Sequence, residues 1–229
     1  MITIAEYDKY QIENAPHVIK IDTFDKANIR YVGGLDISFD KNDQTYACSY
    51  LTVYDLLTNT IVYESHNLCR MTLPYVSGYL GLREVPEYVS LVNAIKTETF
   101  YPDVLLVDGF GILHQREFGS ASHVGLALNI PTIGVAKTLM CVDGLSEQSI
   151  KKEFRSKCVS KGDNINLIGM SGKIYGSALK SAGNTINPIY VSIGHMCSLE
   201  TAIDIVNKVS FHKIPEPIRN SDIKSKLYF

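Results

Sequence analysis

The pattern of apolar and polar positions changes character along the chain. Ile29 to Phe39, Thr45 to Leu56 and Ile61 to Leu68 are β-rich runs, separated by the polar turns Asp40-Lys41-Asn42-Asp43 and Thr58-Asn59. Short polar loops between such runs predict an antiparallel meander. Gly33 and Gly34 in the first run allow close backbone approach. From Glu84 to Lys96 the spacing turns helical, with Val85, Tyr88, Val89, Val92 and Ile95 on one stripe and Pro86 in the first turn. Asp103 to Asp108 lacks alternation and is β-branched, which suits a strand covered on both faces. Ser120 or Ser122 caps a helix running to about Leu128, stopped by Asn129 and Pro131. Thr132 to Ala136, Lys173 to Leu179 and Pro188 to Ser192 read as further strands, and Ser198 caps a last helix to about Lys208. A meander followed by alternating helices and strands, with no linker or repeat, predicts one α/β domain over residues 1–229. Its mixed sheet would carry helices on both faces.

Composition changes this picture little. Hydrophobic residues make up 45% of 229 positions, enough for one sizeable core. No apolar run approaches the ~20 residues that span a bilayer, and the charged first twenty residues do not resemble a signal peptide. An intracellular protein without a membrane partner is expected, in the cytoplasm ahead of the nucleus or nucleolus. The five cysteines are scattered without a C-x-x-C pair, which speaks against a zinc ribbon or a disulfide framework. The net charge of −2 weakly opposes nucleic-acid binding. A nuclease that recruits divalent cations escapes that objection, because the cations reverse the local sign.

Two acids occupy comparable places. Asp36 lies near the end of the first strand, in Gly33-Gly-Leu-Asp36, and Asp108 ends the fourth, in Leu105-Leu-Val-Asp108-Gly109. Ligands bind at the carboxyl ends of strands in open α/β sheets. Two converging carboxylates repel, and an oxygen-preferring cation relieves the repulsion. Each acid could equally start a turn. Glu84, after Arg83, could be a first-turn acid favoured by the helix dipole. His114 and His195 both follow strand ends, in loops where histidines are often idle. Lys137 follows the strand Thr132 to Ala136, where it could meet a phosphate oxygen or simply solvent. Tyr75, in Pro74-Tyr-Val-Ser-Gly78, could stack on a base or be one more tyrosine among 14.

Taken together, five stretches in order resemble the endonuclease V family. They are Val32-Gly-Gly-Leu-Asp36-Ile-Ser; Pro74-Tyr-Val-Ser-Gly through Leu82-Arg83-Glu84; Pro102 through Asp108-Gly-Phe-Gly-Ile-Leu-His114; Phe118-Gly-Ser-Ala-Ser-His-Val-Gly through Lys137; and Pro188-Ile-Tyr-Val-Ser-Ile-Gly-His195 with Ser198-Leu-Glu. The tail Ile214-Pro-Glu-Pro-Ile-Arg219 also matches. The resemblance implies an RNase H-like fold and cleavage of a phosphodiester bond on the 3′ side of a hypoxanthine base. It implies Mg²⁺ or Mn²⁺ on Asp36 and Asp108, with Glu84 completing the acidic cluster. His114, Lys137 and His195 would serve the reacting phosphate and water. Tyr75 would be a wedge in the base stack, and Arg83, Gly109 and Gly111 would lie on the substrate side. Ser77 stands where bacterial members tend to have a second proline. That form resembles the eukaryotic branch and favours inosine in RNA over deoxyinosine in DNA, acted on by a monomer. A DNA-repair enzyme and a non-cutting binder of modified nucleic acid are the competing expectations.

Overall fold

The computed structural model describes residues 3–73, 76 and 78–229. Its centre is a mixed sheet of eight strands among the described residues: β1 (Tyr31–Phe39), β2 (Tyr46–Asp55), β3 (Thr60–Arg70), β4 (Val104–Asp108), β5 (Thr132–Ala136), β6 (Asn164–Ile168), β7 (Ile174–Leu179) and β8 (Ile189–His195). The order across the sheet is β3-β2-β1-β4-β5-β8-β7-β6. The predicted meander is β1 to β3, paired antiparallel. β4 and β5 run parallel to β1, and β8 returns antiparallel beside β5. This is the α/β arrangement with a mixed sheet that the resemblance implies.

Alternation along the strands explains the two layers of helices. Val32, Val104, Leu106 and Ile133 face one side, where they meet Ala202, Ile205 and Val206 of α5 (Leu199–Lys208) and Ile218 of α6 (Glu216–Ser225). Leu35, Leu51, Leu105 and Val107 face the other, against Val85, Tyr88 and Leu91 of α2 (Leu80–Asn93) and Val124 of α3 (Ser120–Leu128). Towards the β6 edge that second face is covered by α4 (Glu147–Lys157), whose Ile150 and Phe154 pack against Ala178 and Tyr190, and α1 (Ile4–Asn14) lies against α3, with the Tyr7 hydroxyl 2.8 Å from His123 Nδ1.

Several boundaries differ from the sequence reading. α2 begins at Leu80, so Glu84 is its fifth residue and Pro86 sits inside it, not in the first turn. α3 starts behind Gly119 with no side-chain cap, so neither Ser120 nor Ser122 is its N-cap. Its end follows the expectation, with Asn129 left-handed at φ 53°. Ser198 caps α5 as expected, accepting from the Thr201 amide at 3.2 Å. α1, α4, β6 and α6 had no counterpart in the pattern reading.

Candidate active site

The parallel pairing of β1 and β4 matches Gly34 with Leu106 and Leu35 with Val107. One residue further, Asp36 comes alongside Asp108. Both share the strand parity of Gly34 and Leu106, and so face α6. That helix supplies a third acid. Ligand oxygens of Asp36, Asp108 and Asp222 all lie within 4.8 Å of one another. Lys137, one residue past β5, bonds Asp108 Oδ2 through Nζ at 2.6 Å and approaches Asp222 Oδ1 at 3.5 Å. Lys226 bonds the other Asp222 oxygen at 2.7 Å.

Burial and charge set the protonation. Asp36 is 6% exposed. Its burial, with the Asp108 charge beside it, raises its carboxyl well above the usual range despite Lys137. Burial acts on Asp222 in the same direction, but Lys226 and Lys137 outweigh it and hold that carboxyl below its ordinary value. For Lys137 burial disfavours the charge, yet Asp108, Asp36 and Asp222 more than compensate and keep the ammonium charged. Three carboxylates around so few cations fit an oxygen-preferring divalent ion. The cluster lines an open groove of about 990 Å³, mouth included, with Ser38, Asp40, Lys41 and Phe229.

Glu84 lies behind this cluster and is not one of its three acids. It is buried, and burial pushes its carboxyl up to about 8, with Arg83 lowering it and Asp108 raising it further. Arg83 is turned inward: its guanidinium lies 4.4 Å over the Phe39 ring and donates to the Gln44 carbonyl at 3.4 Å.

The loop after Asp108 folds back over the sheet. Gly109, at φ 156°, lets it turn, and the Gly111 amide donates to Ser192 Oγ at 2.9 Å. A Cβ on Gly111 would lie 1.9 Å from the Ile193 carbonyl, so this glycine is packed under β8. Gly109 does line a half-open pocket of about 440 Å³, mouth included, together with Gln11, Gly78, Gly81, His114 and Ser120. His114 is buried, and burial pushes its imidazole down to about 4. Its Nδ1 accepts from the Arg116 amide at 3.2 Å, which leaves the proton on Nε2 to donate to the Gly78 carbonyl at 2.9 Å. His114 thus clasps two loops together.

His195 is placed elsewhere. It ends β8, but β8 runs antiparallel, so it pairs opposite Thr132, which pairs with Leu105. That is three residues short of Asp108, about 10 Å along the strand direction. There its Nδ1 accepts from the Ile19 amide at 3.2 Å. Following a strand end does not put a residue at the edge that carries the acids when the strand runs the other way. Tyr75 lies outside the described residues.

The acid that sequence reasoning missed is Asp222. Its signal was available in the matching tail just before it, but the Glu216–Ser225 segment has too few large apolar residues to announce a helix.

The chain is similar to known proteins over nearly its whole length. A mouse endonuclease V is 44% identical over 204 residues, 88% of this chain, and the match covers 60% of that protein's length. A human endonuclease V is 39% identical over 98% of this chain and 82% of its own length. The crystal structure of the human catalytic domain superposes with TM-score 0.94 at 39% identity, covering 98% of this chain and 95% of that one. A Ciona intestinalis endonuclease V, solved with a 23mer DNA containing an inosine followed by a ribo-adenosine, superposes with TM-score 0.93 at 33% identity, covering 99% and 98% of the two chains. The family model of endonuclease V matches residues 13–223. With its acids gathered at the strand ends and its whole sheet shared with these relatives, the chain belongs to the endonuclease V family.

Proposed function

We propose that this chain is a metal-dependent endonuclease that cuts on the 3′ side of inosine, in single-stranded RNA ahead of deoxyinosine-containing DNA. The observation that carries the reading is the Asp36–Asp108–Asp222 cluster, whose member Asp108 is followed directly by Gly109 of the pocket. Mg²⁺, or Mn²⁺ in its place, held by these three carboxylates would supply Lewis acidity at a phosphoryl oxygen and acidify a water. Lys137 reaches the cluster and can donate to a phosphate oxygen as negative charge builds there. In the metal-free protein Glu84 is nearly uncharged at neutral pH by its burial, and its carboxyl feels the Asp108 charge. The pocket takes the base, and Tyr75, three residues before Gly78 in the sequence, fills the gap the base leaves. The Pro-Tyr-Val-Ser-Gly form of that motif and the ribonucleotide after inosine in the Ciona complex support RNA.

The test uses matched RNA and DNA strands with one inosine or one adenosine, incubated with Mg²⁺ or with a chelator. Cutting is expected only at inosine, only with metal, and faster in RNA. Equal cutting at adenosine would make this a general ribonuclease. Faster cutting of the DNA strand would favour a repair enzyme.

A further inference from the structure

Gln11 projects from α1 into the wall of the pocket and is 2% exposed. Its Nε2 donates to two carbonyls, of Gly78 at 3.1 Å and of Phe118 at 2.9 Å. Both partners only accept, so the amide has a single acceptable orientation. Its other atom, Oε1, is buried and has no hydrogen-bond partner among the described residues. Buried acceptors are rarely left without a partner, and this one belongs to a residue that lines a pocket, where a ligand can bring a donor. His114 is not that donor, because its Nε2 proton is spent on the same Gly78 carbonyl.

We infer that Gln11 Oε1 accepts a hydrogen bond from N1–H of the bound base, which makes Gln11 a specificity-determining residue against adenine. The inference rests on the pocket's being the base site of the proposed nuclease. Hypoxanthine carries a proton on N1, whereas adenine presents a bare lone pair there. A free amide would flip and offer its NH2 to adenine. This one cannot flip without abandoning both carbonyls, so adenine meets lone pair with lone pair. A site built to bond a polar hydrogen rejects the analogue that lacks it more strongly than any apolar pocket could. Guanine shares the N1 proton, so Gln11 does not exclude it; its additional amine at C2 must be refused by the pocket's size.

The experiment compares strands bearing inosine, adenosine or nebularine, a purine with neither the 6-oxo group nor the N1 proton, at one position. Each is measured with the wild type, Gln11→Met and Gln11→Glu, as kcat/KM with Mg²⁺ and as competition Kd in chelator, with a thermal melt of each protein. Gln11→Met keeps the length and removes the acceptor. Its kcat/KM and affinity for inosine should fall about 10- to 100-fold, with less than threefold change for nebularine. Gln11→Glu keeps an acceptor but loses both donors. It should melt lower and yet retain a preference for inosine over nebularine. If Gln11 only ties α1 to the loops, both variants lose the same factor on every purine, and the inference is overturned. A wild type that does not prefer inosine over adenosine would instead overturn the proposed function.

Discussion

Asp222 and Asp36 stand in the same cluster for different reasons, and single substitutions separate them. Asp36 is held inside by β1, where Asp108 opposes its charge. Asp222 arrives from α6 already neutralised by lysines. Asp222→Asn and Asp36→Asn should each lower cleavage at least ~100-fold and shrink the rise in melting temperature that Mg²⁺ produces, since each removes a ligand charge. They should part company without metal. Asp36→Asn replaces a buried carboxyl that is costly to ionise beside Asp108 and should melt at or above the wild type, whereas Asp222→Asn takes the carboxylate from Lys226, leaves Lys137 bonded to Asp108 alone, and should melt lower. Near-normal turnover of Asp222→Asn at ordinary Mg²⁺ would remove Asp222 from the site. At this scale the sequence was informative about Asp36, Asp108 and Lys137, because strand ends in a parallel pair must converge. It was blind to what His114 and His195 touch. A histidine's partners depend on the direction of its strand and on loops distant in sequence, and neither is written in its neighbours.

The helix that carries Asp222 is seated by small groups, which is why hydrophobic periodicity passed it over. Ser221 Oγ donates to the Gly34 carbonyl at 3.0 Å and meets Thr52 Oγ1 at 2.8 Å, Asn220 bonds Thr52 and Glu64, and Ser225 meets Ser38 at 2.7 Å. Only Ile218 brings a large fully buried side chain. α4 was similarly quiet, with Ile150 and Phe154 alone buried. α1 did carry a readable sign, the Thr3–Glu6 capping box. β6 did too, in the alternation of Ile165 and Leu167. The seat of α6 depends on Gly34, where a Cβ would lie 2.2 Å from the Pro217 carbonyl carbon. Gly34→Ala therefore has to push α6 off β1. Overpacking of this kind costs about 1–3 kcal/mol, or roughly 2–4 °C of melting temperature per kcal/mol in a chain of this size. The larger effect should be on Mg²⁺ affinity, because α6 takes Asp222 with it. A Gly34→Ala protein that binds Mg²⁺ and cuts normally would show that α6 does not position the third carboxylate.

Across the whole molecule, the buried titrating groups oppose one another, and the balance predicts how stability changes with pH. Burial pushes His114 and His123 down from 6.5 to about 4 each. Between those values the unfolded chain binds more protons than the folded one, so the histidines make stability rise with pH and contribute no further change above about 6.5. Burial pushes Glu84 up from 4.5 to about 8. Here the folded protein binds more protons, so stability falls as pH rises through that range, and Asp36 acts in the same direction. Between pH 4.5 and 6.5 the two trends offset. Between pH 6.5 and 8 only the acids remain, and the metal-free protein should lose about 2 kcal/mol from Glu84 alone. A divalent cation should flatten the loss, since it stabilises the ionised cluster and so reverses the cost of charging it. Glu84→Gln should flatten it without metal. Chemical denaturation of the metal-free wild type at pH 6.5, 7.25 and 8 reads the effect directly. A level or rising stability over that window, or a Glu84→Gln protein with an unchanged slope, would mean that Glu84 enters the folded state already ionised. Its carboxylate would then belong with the metal ligands rather than behind them.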